Sequence, residues 1–194
     1  MNSEVLLQAV PWLGVLGMIV AVLTYLAVLK HSPGDETMQR ISEKIHSGAM
    51  IFLKREYSII VMFMVIVFLS LGLLLGSWWT ALAYLCGAFS SMLAGWLGMN
   101  AATRAATRAC QGAKDGGTPG ALAVAFQGGS VMGISVAALG VIGLGFFFLF
   151  LKHDPTRAPL IINGFAMGAS SICLLYTSDA ADELDGVDLG GGRI

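Results

Sequence analysis

Few side chains in this 194-residue sequence stand where chemistry would need them. Five carboxylates, Asp179, Asp182, Glu183, Asp185 and Asp188, fall within residues 173–194 and are oxygen donors of the kind that bind magnesium loosely. Cys86, Cys110 and Cys173 are far apart and form no CxxC or Cys/His spacing, so they read as packing residues rather than metal ligands. His46 stands alone on a helical pattern and reads as a solvated surface group, not a switch or ligand. Gly112, Gly116, Gly117 and Gly120 make a glycine-rich segment, but the strand–helix setting of a phosphate-cradling loop is missing. Residues 115–120 (DGGTPG) read as a turn instead. Gln127 and Asn163 lie in apolar runs and read as interhelical hydrogen-bonding glue. There is no paired carboxylate and no nucleophile with a base. The sequence therefore assigns no catalytic, cofactor-binding or metal-ligating residue.

The elements that carry these residues are more informative. The chain is 56% hydrophobic and only 12% charged, with a mean hydropathy of +0.78. A soluble domain carries roughly a quarter charged residues, so a soluble enzyme is excluded. Disorder needs the opposite composition. Eleven Lys+Arg against twelve Asp+Glu leaves no basic excess for a nucleic acid. The remaining class is an all-α integral membrane protein with the lipid bilayer as its solvent.

A membrane-spanning helix needs about 20 apolar residues. Five stretches meet or approach this: 10–29, 58–75, 78–102, 121–151 and 158–176. The fourth would be about 46 Å long, so it must tilt or project beyond the bilayer. No charge falls inside any of them, which removes the midplane ionisable groups that pumps and relays use. Lys30, Arg40, Lys44, Lys54, Arg55, Arg104, Arg108 and Lys114 lie in loops 30–57 and 103–120, while Lys152 and Arg157 lie on the other side. The positive-inside rule places the first group in the cytoplasm and the N-terminus outside. Residues 32–35 (SPGD) read as a turn. Met38, Ile41, Ile45, Ala49 and Phe52 or Leu53 then form the apolar stripe of an amphipathic helix leading into the second span. Gly87, Ser91 and Gly95, then Gly129, Gly133 and Ala137, then Gly164 and Gly168 recur at four-residue spacing. Such stripes let helix backbones approach closely, so the spans should form a small-residue-packed bundle. The bulkier first two spans should lie at its lipid-facing edge.

Four strings carry a resemblance. IHSGAMIFLKREY at 45–57, GWLGMNAATRA at 95–105, AFQGGSVMG at 125–133 and NGFAMGASS at 163–171 occur in order and at sensible spacing. Together they resemble the N-terminal helices of membrane-integral, ion-pumping pyrophosphatases. The resemblance implies one part of a pump of about sixteen helices, working as a homodimer and coupling pyrophosphate hydrolysis to export of protons or sodium ions. It also implies Mg2+ as a cofactor, with K+ in some members, and a prokaryotic plasma membrane as the location. Residues 1–172 would then be the N-terminal transmembrane region of a longer enzyme, inactive by itself and binding no cofactor. Residues 173–194 depart from the family pattern, because the arginine and the glycine run before its Tyr-Thr-Lys are missing. Five of the twelve acids crowd into this tail, which reads as non-native sequence resembling adapter read-through. The alternative is a complete small membrane scaffold or accessory protein without catalysis.

Overall fold

A computed structural model describes residues 3–151, 154 and 156–170. It contains four helices: α1 (Ser3–Lys30), α2 (Glu36–Leu74), α3 (Trp78–Leu151) and α4 (Ala158–Ala169). Among the described residues, three helices are long and apolar enough to cross a membrane, lying in α1, α2 and α3. The helix α3 holds two of the spans expected from sequence. It breaks at Gly117, whose φ of 64° and ψ of −156° are open to glycine and costly for any other residue. Pro119 follows in the first turn of the second arm, where its missing N–H costs no hydrogen bond. The two arms, 78–116 and 118–151, fold back on each other. A Cβ on Gly112 would meet the Gly120 carbonyl at 2.9 Å, so this hairpin closes only because both positions lack side chains. The turn expected at 115–120 is therefore present, narrowed to one residue.

The first arm of α3 is the central post. The second arm runs antiparallel to it: Gly98 faces Met132, and Gly128 faces Ala105. α1 packs on the second arm, with Gly14 against Ile142 and Ala138, Gly17 against Ala138, and Gly145 against Pro11 and Val10. α2 runs antiparallel to the first arm on its other side, and α4 runs parallel to it. Tyr84 and Phe165, each 2% exposed, are the largest side chains sealed in the core. Ile60, Met64, Leu71 and Ala81 pack around Tyr84, while Ala83 and Ile161 pack around Phe165.

The amphipathic segment and the second span are one unbroken helix of 39 residues, about 58 Å long. Loops 30–57 and 103–120 are thus mostly helical: α2 and α3 continue together past the apolar zone instead of unravelling into linkers. The cause is mutual support, since the extensions share a row of hydrogen bonds. The first two spans are widely exposed, from Leu13 and Leu16 on α1 to Ile59, Met62 and Ile66 on α2. That is the pattern expected of a surface solvated by lipid tails rather than water. Of the fifth span, the described residues show Ala158–Ala169; positions 171–176 lie outside them, as does the whole 173–194 tail.

Candidate functional site

Two constructions hold the helices in register. One is a polar staple at the charged end of the bundle. Asp35 is the N-cap of α2, yet its carboxylate makes no cap bond. It turns outward and accepts from Lys114 Nζ at 2.7 Å. Gly34, at φ 84°, makes the turn that aims it there, and Gln39 Nε2 closes the turn by donating to the Gly34 carbonyl at 2.8 Å. Arg108 Nε donates to the His31 carbonyl at 3.2 Å, satisfying an acceptor just past the end of α1. Its Nη1 donates to the Arg104 carbonyl at 2.8 Å. Partial burial, aided by the neighbouring Arg104 charge, lowers the Arg108 pKa. The hydrogen bond and charge of Asp35 raise that of Lys114. The turn between α1 and α2 is thereby fixed to the α3 hairpin.

From this staple a row of polar rungs runs down between α2 and α3. Thr107 Oγ1 donates to Ser42 Oγ at 2.5 Å. His46 Nδ1 and Thr103 Oγ1 are 2.9 Å apart. The Thr103 hydroxyl proton is directed at the Met99 carbonyl at 2.8 Å, which leaves its oxygen as the acceptor and His46 Nδ1 as the donor. Asn100 Nδ2 points to Met50 Sδ at 4.0 Å, and Tyr57 donates its hydroxyl proton to the Met92 carbonyl. His46 is therefore neither a solvated group nor a ligand; it is a helix-to-helix hydrogen bond. Single-sequence reasoning missed it because nothing in the local pattern places position 46 opposite position 103.

The second construction is a glycine seam that seats α4. A Cβ on Gly164 would lie 2.6 Å from the Thr80 carbonyl oxygen. One on Gly168 would lie 2.7 Å from Ala88 N, and one on Gly87 2.8 Å from Ala169 N. These backbones touch, and Phe165 then fills the space over Gly143 on the second arm. Two of the three stripes picked out by spacing are thus packed: Gly87, Ser91 and Gly95 are buried, as are Gly164 and Gly168. The third is not. Gly129, Gly133 and Ala137 face outward, and Gly129 and Gly133 have open space where a Cβ would go. The packed face of that arm is instead Val124, Gly128, Val131, Ser135 and Ala138.

The residues read as interhelical glue are also placed differently. Asn163 is exposed on α4 and lines a groove with Tyr84, Phe63 and Ser170. Gln127 is partly buried, and its side-chain oxygen has no hydrogen-bond partner among the described residues. Cys86 and Cys110 are free thiols.

The chemistry available here is positional. Among the described residues, no group of three or more His, Cys, Asp or Glu could hold a metal ion. The carboxylates are spread out and several are engaged: Asp35 with Lys114, Asp115 with Gln111 at 2.8 Å, and Asp154 with Arg157 at 3.6 Å. These described carboxylates do not converge on a Mg2+ site. The tail acids lie outside the described residues.

Comparison with known proteins gives the setting. The model of the family described as inorganic H+ pyrophosphatase matches residues 15–177. A K+-insensitive pyrophosphate-energized proton pump 2 of Moorella thermoacetica is 41% identical over 191 residues, covering 97% of this chain and 28% of that relative. A K+-insensitive pyrophosphate-energized proton pump of Pyrobaculum aerophilum is 36% identical over 196 residues, covering 94% of this chain and 26% of the relative. A K+-stimulated pyrophosphate-energized sodium pump of Thermotoga maritima is 39% identical over 172 residues, covering 79% of this chain and 24% of the relative. The chain spans about a quarter of the length of the curated relatives it matches.

Proposed function

The chain belongs to the inorganic H+ pyrophosphatase family, and on that premise we propose that it supplies the first helices of a pump coupling pyrophosphate hydrolysis to export of protons or sodium ions. The observation that carries this reading is identity of 36–41% along nearly the whole chain to two pyrophosphate-energized proton pumps of which it covers 26–28%. The described residues contribute position rather than reaction. The glycine seam holds α4 against the post at a fixed depth. The staple at the charged end fixes the angle at which the post and its hairpin leave the membrane. Pyrophosphate, and Mg2+ with it, would be handled by parts of the protein beyond these helices. The relatives include both K+-insensitive and K+-stimulated pumps, so K+ dependence is assigned to those parts as well.

The eight basic residues on the side of 30–57 and 103–120 support a cytoplasmic location for that end and an outside N-terminus. In a prokaryote the membrane is the plasma membrane. The homodimer is taken from the family resemblance, and the exposed apolar faces of α1 and α2 leave room for both lipid and the remaining helices. The boundary at residue 172 rests on the crowding of acids beyond it. The 194-residue chain alone is expected to hydrolyse no pyrophosphate. The test is a Mg2+-dependent phosphate-release assay on this chain beside the full-length product of its gene: release by the full-length protein alone supports the proposal. Release by neither would remove pyrophosphate from the account.

A further inference from the structure

A groove of about 640 Å³ lies between α2 and the first arm of α3, at the boundary between charged and apolar sequence. Its lining changes character along its length. Lys54, Tyr57 and Ser58 form its polar band, flanked by Met50 and Leu53 toward the charged end and by Val61 toward the apolar end, with Trp96 of α3 facing them. These α2 positions are three, four and seven residues apart, so they share one helix face. Lys54 and Ser58 are exposed, and Val61 and Trp96 are 45% and 47% exposed. One turn beyond Val61, Val65 is 49% exposed and extends the apolar strip.

The polar groups of this band are not equivalent. The Tyr57 hydroxyl is committed to the Met92 carbonyl, and the Ser58 hydroxyl donates to the Lys54 carbonyl at 3.0 Å. Among the described residues, neither the Lys54 ammonium nor the Trp96 indole N–H has a hydrogen-bond or ion-pair partner, so both donors remain available. The lining holds one cation and no carboxylate. Beyond Glu56, α2 carries no charge through residue 74, so the groove crosses from the headgroup layer into the hydrocarbon.

We propose that this groove binds a phospholipid with an anionic headgroup from the leaflet on the charged side of the bundle. The Lys54 ammonium and the Trp96 indole N–H would hold the phosphate as donors. One acyl chain would lie along Val61 and Val65 against the Trp96 ring. A cation at the headgroup layer with an indole beside it is the pairing that interfacial lipid contacts use. Its apolar strip separates this site from one for a free phosphate, which would use the donors alone. The assignment does not depend on pyrophosphate chemistry.

The experiment uses the full-length gene product in detergent, with native mass spectrometry reading retained lipid as phosphatidylglycerol or phosphatidylcholine is added. The wild type should retain phosphatidylglycerol preferentially. Lys54→Gln should lower that retention about five-fold, toward the phosphatidylcholine level. Trp96→Leu should weaken both lipids, and Arg55→Gln, on a different face of α2, should leave the preference unchanged. Glycerol phosphate without acyl chains should not compete. Equal retention of the two lipids by the wild type would overturn the proposal, as would a preference untouched by Lys54→Gln. Displacement by glycerol phosphate would show a phosphate site instead. Circular dichroism of Lys54→Gln, a substitution of an exposed side chain, confirms that any loss is not unfolding.

Discussion

The Lys114 ammonium lies 2.7 Å from the Asp35 carboxylate, 79 positions earlier in the chain, and so joins the first interhelical turn to the tip of the α3 hairpin. Both side chains are largely exposed, and exposed pairs are weak and screened by salt. The pair therefore sets register more than stability. Because Lys114 has its pKa raised in the folded protein, its contribution is complete below the ordinary lysine value and is lost as pH climbs through the raised one. The Tm difference between wild type and Lys114→Met should be small and flat from neutral pH to about pH 9. It should shrink above about pH 10.5, and it should vanish in about 1 M salt. Differential scanning fluorimetry across pH and salt checks all three.

The glycine seam makes a sharper prediction. Gly168→Val and Gly87→Val force side chains into backbone that is already in contact, so each should destabilise the bundle by about 1–3 kcal/mol or more. Gly133→Val enters open space and should be tolerated. Thermal unfolding in detergent separates the two outcomes. Equal sensitivity of Gly133 and Gly168 would mean that α4 is not seated as described.

The hairpin rests on one backbone conformation. Gly117→Ala should cost about 1–3 kcal/mol, because its φ of 64° with ψ of −156° lies where alanine is strained. Gly116→Ala, one residue away and with nothing near its Cβ, should be close to neutral. A pair of unfolding curves reads the contrast.

Between α2 and α3, Thr103→Val would remove the acceptor of the His46 Nδ1 proton. Leaving that partly buried donor unpaired should cost about 1–3 kcal/mol. His46→Phe with Thr103→Val should recover part of the loss, since both polar groups are then gone. A double-mutant cycle measured by unfolding gives the coupling.

How far these features can be read from residues alone depends on the range over which they act. The apolar helices, the turn at Gly117 and the continuity of the amphipathic segment with the apolar part of α2 are local. They follow from apolar run length, from glycine and proline chemistry, and from 3.6-residue periodicity. The membrane class follows from composition, and four short strings carry the family. Facing is not local. Gly129 and Gly133 have the spacing of a packed stripe, yet Gly128, one position away, is the glycine that meets Ala105. Spacing gives a face, and only the partner helix selects it. The pairings of Asp35 with Lys114 and His46 with Thr103 depend on the register of distant helices, which no window of sequence contains. The lipid groove was invisible for the same reason: Trp96 joins the α2 residues across the helix pair.

Ion movement tests most directly the proposal that these helices belong to a pyrophosphate-driven pump. Inverted membrane vesicles carrying the full-length gene product should take up protons or sodium ions when pyrophosphate and Mg2+ are added outside. Vesicles carrying the Gly168→Val protein should show uptake reduced in step with its loss of folding. No pyrophosphate-dependent uptake of either ion by well-folded full-length protein would contradict the account.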